Sequence, residues 1–217
     1  GDVYTWGHGR SGRLGHGDES THPVPTLIDF FHSKSIKIKV LSTAENHSLA
    51  VTTSGDVFSW GSDRYGQLGH NISDGGMSLL PRRIDYFKKM NVLSVAAGTM
   101  HSLCYTDEDL IYSWGSNKHA QLGIRSNEST SLSNGSGPGS ASPKQISLGR
   151  GNGTSNNHYG RLSVISLAAG TYNSLALVKN PNLSHFGHTS LNEVYQWGHG
   201  CVNPMKVHFN ASSSKCS

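Results

Sequence analysis

Charge is scarce in this sequence. Asp, Glu, Lys and Arg make up 15% of its 217 residues, and 18 basic against 14 acidic side chains leave a formal net charge of only +4. No long basic run occurs; the cations fall in small groups such as Lys34, Lys37 and Lys39, Arg82 and Arg83, and Lys88 and Lys89. These read as solvated faces, and nucleic-acid binding is not expected. Three cysteines, Cys104, Cys201 and Cys216, form no Cys-x-x-Cys pair and no even-numbered framework. A disulfide scaffold and a zinc ribbon are thereby excluded, and the chain is expected inside the cell, in the cytoplasm or the nucleus. No apolar run is long enough to span a bilayer and no signal peptide is recognised, so no membrane contact is expected. Hydrophobic residues are also few, at 35%, whereas glycine is abundant, with 26 copies among many serines, asparagines and threonines. Low charge argues against a wholly disordered chain, and glycine spread through an aromatic-bearing sequence argues for many turns. An all-β protein fits this composition better than a helical one.

Internal repetition decides the architecture. Trp6, Trp60, Trp114 and Trp197 are each followed by glycine, at Gly7, Gly61, Gly115 and Gly198, and the tryptophans stand 54, 54 and 83 residues apart. The first copy reads GDVYTWGHGRSGRLGHG from Gly1, the second GDVFSWGSDRYGQLGHN from Gly55, the third DLIYSWGSNKHAQLGIR from Asp109. The fourth begins NEVYQWGHG at Asn192 and then departs. A second block recurs ahead of each new copy: LSTAENHSLAV, VAAGTMHSLCY and LAAGTYNSLAL. A weaker third block is led by Pro25, Pro81, Pro143 and Pro204.

The VYTW, VFSW, IYSW and VYQW segments are β-branched, aromatic and alternating, as strands are. The HSLAV-type segments alternate too, and Thr-Thr-Ser-Gly-Asp between Val51 and Val57 is a tight hairpin turn. The G-x-L-G segment after each tryptophan is a turn with one buried leucine, Leu14, Leu68 or Leu122, whose closing glycine, Gly15, Gly69 or Gly123, takes a positive φ or permits close approach. The proline segments add an edge-type strand. The sum is about four strands per unit, hence an all-β fold: a partial β-propeller of about three to four four-stranded blades. Repeat-equivalent placement makes the four tryptophans packing residues between blades rather than ligand platforms. The same argument makes His47 and His101, with Asn173 in the third copy, structural hydrogen-bonding residues rather than halves of a His–Ser nucleophile pair.

No catalytic, cofactor or metal site is expected. Gly7-x-Gly9-x-x-Gly12 follows a strand, but turn residues come next where a dinucleotide site needs a helix. None of the 13 histidines pairs with cysteine at zinc spacing. No two carboxylates suggest an acid/base pair.

At the residues quoted, the chain resembles the regulator-of-chromosome-condensation repeat family, whose motifs run V-Y-x-W-G, G-x-L-G-H, P-x-x-[VI] and [VL]-A-A-G-x-x-H-S-L-A. The rival WD-repeat propellers are disfavoured because no Trp-Asp dipeptide occurs. The resemblance implies a ring usually of seven blades, of which this chain would supply three repeats, at about 1–54, 55–108 and 109–191, and part of a fourth at 192–217. Beginning with Gly1 inside a strand pattern, the chain reads as a piece of something longer that self-associates on its own. GRSGRLGHGDEST and the shortened last copy also resemble the subgroup linked to ankyrin repeats and BTB domains, similar to the inhibitor of Bruton tyrosine kinase.

That resemblance implies a protein-interaction scaffold whose loop faces bind other proteins, as in a ubiquitin-ligase adaptor or a signalling protein. A second reading also comes from the family, whose founding member promotes guanine-nucleotide release from the small GTPase Ran. An acidic residue just before the repeat histidine is implicated there. Here Asn46, Met100 and Tyr172 hold those positions, so exchange activity is disfavoured. Segments 124–162 and 179–192 read as flexible inserts.

Overall fold

A computed structural model describes residues 1–70, 76–125, 128–132, 137–148, 162–180 and 192–207. Cys216 and most of the two expected inserts, 149–161 and 181–191 included, lie outside the described residues.

Fifteen strands are described: β1 Tyr4–Gly7, β2 His22–Leu27, β3 Ile38–Thr43, β4 His47–Thr52, β5 Val57–Ser62, β6 Met77–Arg83, β7 Val92–Ala97, β8 His101–Thr106, β9 Ile111–Ser116, β10 Thr130–Ser131, β11 Pro138–Ile146, β12 Ser163–Ala169, β13 Asn173–Lys179, β14 Asn192–Gly198 and β15 Cys201–Lys206. They form four antiparallel sheets, in the orders β1-β2, β3-β4-β5-β6, β10-β11-β9-β8-β7 and β12-β13-β14-β15. Helix among the described residues is limited to one five-residue α-helix, α1 (Asp29–Ser33), and short 3-10 turns at Arg10–Gly12 and Asp85–Phe87. The chain is an all-β partial propeller.

Sequence repeats and sheets are out of step. The hairpin turn at Gly55, φ +87°, joins β4 of one repeat to β5 of the next, so each full sheet takes two strands from one repeat and two or three from the next. Its register places the H-S pair against the W-G pair: His47 faces Gly61 and Ser48 faces Trp60, with His101 and Ser102 against Gly115 and Trp114. Asn173 and Ser174 meet Gly198 and Trp197 in the same way. Each proline strand pairs irregularly with its tryptophan strand, because proline has no N–H to give to the ladder.

Three apolar clusters lie between the sheets. The first joins Val3, Ile28, Phe31 and Trp60, the second Leu49, Val57, Phe87 and Trp114, and the third Leu103, Leu122, Ile146 and Trp197. The stretch 124–162 corrects the expectation of a loop throughout. It contains β11, and Ile124, Leu132 and Ile146 within it are buried. Its polar composition hid a strand that contributes only a few apolar side chains to the inter-sheet cluster.

Candidate functional site

The first three tryptophan strands, β1, β5 and β9, each run into a turn with one shared pattern of amide-to-carbonyl bonds. Gly12 and Gly15 amides bond to Gly9 and Gly12 carbonyls; Gly66 and Gly69 bond to Asp63 and Gly66; Ala120 and Gly123 bond to Asn117 and Ala120. The Asp63 and Asn117 side chains accept from the Leu68 and Leu122 amides, at 2.9 and 3.1 Å. Inside the turn Leu14, Leu68 and Leu122 are buried. At its end Gly15, Gly69 and Gly123 have φ of +81°, +76° and +65°. A Cβ on Gly15 would stand 2.9 Å from Trp60 Nε1, one on Gly69 2.9 Å from Trp114 Nε1, and one on Gly123 2.8 Å from Trp197 Cδ1. The glycine is therefore the seat of the next repeat's indole. Trp60 Nε1 donates to the Arg13 carbonyl at 2.9 Å and Trp114 Nε1 to the Gln67 carbonyl at 2.8 Å.

Trp60, Trp114 and Trp197 are fully buried, whereas Trp6 is 59% exposed. Trp6 is thus not in the core, contrary to the sequence reading: no G-x-L-G turn of an earlier repeat lies over it among the described residues. Gly61, Gly115 and Gly198 pack against the Asn46, Met100 and Tyr172 carbonyls, and Gly7, at φ +100°, has open space around it.

The histidines bridge repeats rather than serve the serines beside them in sequence. His47 Nε2 meets Ser102 Oγ at 2.9 Å, and His101 Nε2 meets Ser174 Oγ at 2.8 Å. Ser102 Oγ spends its single hydrogen on the Gln67 carbonyl and Ser174 Oγ on the Gln121 carbonyl. Each histidine must therefore donate from Nε2, leaving Nδ1 bare. Both Nδ1 atoms are buried without a partner among the described residues. Burial holds the His47 pKa down to about 3, with His101 adding to it, and burial alone holds His101 down to about 4. A His–Ser contact of this hand is the reverse of a general base on a nucleophile, and both members are out of solvent. Asn173, partly buried, stands where the third histidine would be and crowds Gly170.

A second set sits at the turn's exit. Thr5 Oγ1 donates to the Leu14 carbonyl and contacts His16 Nε2 at 3.0 Å; Ser59 Oγ donates to Leu68 and contacts His70 Nε2 at 3.0 Å. In the third copy Ser113 Oγ keeps the bond to Leu122, and buried Ile124 replaces the histidine. Burial, then the nearby Arg82 charge, brings the His70 pKa down to about 4. The Cys104 thiol is buried, and burial raises its pKa well above normal, so it is no nucleophile. Among the described residues no three His, Cys, Asp or Glu side chains gather to hold a metal ion.

With these polar groups spent on internal bonds within and between repeats, the exposed chemistry lies on the turns themselves. Ser62, Ser116 and His199 amides bond to the Asn46, Met100 and Tyr172 carbonyls, which fixes the segments 44–46, 98–100 and 170–172 beside the turns. The side chains here are polar, cationic and aromatic. Arg13 donates to Asn46 Oδ1 at 2.8 Å, Arg64 and Lys118 approach the Tyr65 ring at 5.7 and 6.0 Å, and His119 lies 4.2 Å from the Tyr172 ring. The sequence reading missed this interleaving because its members are scattered along the chain and meet only when repeats stack. It also missed Ile28-Asp29-Phe30-Phe31 and Ile84-Asp85-Tyr86-Phe87, a repeated signal after each proline strand. Phe31 and Phe87 there wedge against Trp60 and Trp114, with ring centroids 5.8 and 5.6 Å apart.

The sequence model of the regulator of chromosome condensation (RCC1) repeat matches residues 1–51, 54–105 and 108–177. The mouse E3 ubiquitin-protein ligase HERC2 is 31% identical over 92% of this chain, which spans 4% of that protein. The Arabidopsis thaliana ultraviolet-B receptor UVR8 is 40% identical over 57% of this chain, covering 27% of the receptor. The mouse inhibitor of Bruton tyrosine kinase is 34% identical over 57% of the chain and 9% of itself. In fold, the chain superimposes on Saccharomyces cerevisiae Prp20p, a protein studied for its binding to Gsp1p and histones, with a TM-score of 0.71 and 23% identity, covering 98% of this chain and 47% of Prp20p. The chain therefore spans well under two thirds of each of these proteins.

Proposed function

This chain belongs to the regulator of chromosome condensation repeat family, and from that premise we propose that it is a non-catalytic scaffold that binds other proteins through its loop face. The observation that carries this reading is the division of labour among polar groups. The repeat-equivalent hydroxyls and histidines inside are committed to internal bonds, either across to a neighbouring repeat, as with His47, Ser102 and the Gln67 carbonyl, or within their own repeat, as with Ser59, His70 and the Leu68 carbonyl. The turn segments meanwhile display charge and rings outward on a rigid frame. Loops held by a rigid scaffold are where binding residues concentrate. A role as ubiquitin-ligase adaptor or signalling scaffold fits the kinds of protein to which the chain is similar. No helix of the described residues is long and apolar enough to cross a membrane.

The test is a photo-crosslinking residue placed at Met100 on the loop face or at Lys88 on the rim. Discrete protein adducts from Met100 and none from Lys88 are expected in cell extract. Equal yields at both positions, or none at Met100, would remove the reading.

The second reading is a guanine-nucleotide exchange or GTPase-binding module, favoured by the structural likeness to a protein studied for binding Gsp1p. Against it, Asn46, Met100 and Tyr172 offer no carboxylate; Asn46 is taken by Arg13, and Tyr172 lies against His119. A nucleotide-release assay on Ran-like GTPases separates the two, and acceleration by this chain would favour exchange.

A further inference from the structure

The turn after each of the first three tryptophan strands carries a cation at the same place, four residues past the tryptophan: Arg10, Arg64 and Lys118. Composition and charge runs conceal this, because each cation is alone in its own repeat. The three turns share one pattern of amide-to-carbonyl bonds, which sets the three cations at the same step of the turn, although the first turn differs in having Ser11 at φ +60°. All three cations are exposed. Arg64 and Lys118 come from adjacent repeats and lie 5.7 and 6.0 Å from one ring, Tyr65, which ties the two turns into one surface. Arg13, in the first turn, is fixed by its 2.8 Å bond to Asn46 Oδ1. Among the described residues no carboxylate forms an ion pair with Arg10, Arg13 or Lys118.

We propose that this row of turns is the binding surface for an extended acidic segment of a partner protein. The inference rests on the scaffold reading above and names the chemistry of its partner. A carboxylate-rich strand laid across the turns meets one cation per repeat, and guanidinium groups bind carboxylates in a two-pronged fashion. The Tyr65 ring and the His119–Tyr172 pair supply apolar area between the charges. A nucleic acid is the weaker occupant. Glu19, whose carboxylate accepts from the Ser11 amide at 2.7 Å, already shows a carboxylate seated on the first of these turns. The whole chain carries only +4, whereas phosphate binding depends on many simultaneous neutralisations.

The probe is a fluorescein-labelled oligo-glutamate peptide, followed by anisotropy at low and high salt. The chain is expected to bind it at low salt and release it at high salt, since exposed charge pairs are screened. Each of Arg10→Glu, Arg64→Glu and Lys118→Glu is expected to weaken binding about tenfold, and Lys88→Glu on the rim to leave it unchanged. All four changes are at exposed positions, and unchanged thermal melts would show the fold intact. Absence of salt-sensitive binding, or an equal loss from Lys88→Glu, would overturn the proposal. So would tighter binding of single-stranded oligo-thymidine that is lost with the same three reversals. Crosslinking from Met100 separates this inference from the scaffold reading. Undiminished adducts in Lys118→Glu would overturn the acidic partner alone and leave the scaffold standing, whereas no adducts from the unaltered chain would overturn both.

Discussion

Trp6 and Trp60 occupy the same repeat position and differ in what covers them. Trp60 lies on Gly15, donates to the Arg13 carbonyl and touches Phe31, while Trp6 is mostly in solvent. Trp60→Ala is therefore expected to cost about 3–5 kcal/mol, as large aromatic truncations in cores do, and Trp6→Ala less than about 1 kcal/mol. Denaturant midpoints of the two variants check this; equal losses would refute the covering-turn explanation. The tryptophan motif was legible in the sequence, but which copy is covered was not, because the cover comes from another repeat some 47 residues away, the separation of Trp60 from Arg13. The same seat makes Gly69 sensitive: Gly69→Ala forces a Cβ to within 2.9 Å of Trp114 Nε1 at a positive φ, and a loss of about 2–4 kcal/mol is expected by the same measurement. The buried histidines give a pH signature. Their folded pKa values, about 3 and about 4, lie below the ordinary 6.5. The unfolded chain thus binds protons that the folded chain refuses, so the stability they lend is full above pH 6.5 and is lost as pH falls toward 4. His101→Asn, which installs the residue found naturally at Asn173, is expected to flatten that acid limb by about 3 kcal/mol, read as urea midpoints between pH 7 and pH 4.

The sheets were legible where one repeat's motif pairs with the next through a tight turn, and less so where polar composition masked a strand. Gly55 between Val51 and Val57 was enough to read the β4–β5 hairpin. For β11, proline, serine and glycine obscure the alternation, and only Ile146 is a large buried apolar side chain in that strand. The short helix and 3-10 turn after the proline strands went unread because three to five residues are too few for a helical period to show. Their contribution is nonetheless specific. In the Asp85–Phe87 turn Phe87 is 1% exposed, against Tyr112 at 5.4 Å and Trp114 at 5.6 Å, while its neighbour Tyr86 is 46% exposed. Phe87→Ala is expected to destabilise by about 3–5 kcal/mol and Tyr86→Ala by less than about 1 kcal/mol. Comparable melting shifts for the pair would mean that the turn is held by its surface ring instead.

At the scale of the whole molecule, cohesion is carried between neighbouring sheets, and each interface has the same members: an indole, a seat glycine, a serine bonded to a turn carbonyl and an apolar cluster. Such an assembly is satisfied only where a neighbour is present. The β1-β2 sheet has no strand on the far side of β1 among the described residues, whereas β5 and β9 each lie between two strands. Tyr4 and Trp6, alternate residues of β1 and so on one face of it, are 51% and 59% exposed. A free strand edge beside paired exposed aromatics is a template for association. This 217-residue chain is accordingly expected to self-associate in solution, with light-scattering mass rising with concentration. Trp6→Glu is expected to shift it toward the monomer, because a carboxylate would have to be buried in any contact formed there. The same charge placed at Lys88 leaves that face untouched and should leave association unchanged. A concentration-independent monomer from the unaltered chain would mean that the β1 edge and its two rings are covered in solution. Association that persists in Trp6→Glu would locate the contact on another surface, where exposed apolar side chains include Met77 and Leu80 on β6 and Val202 and Met205 on β15.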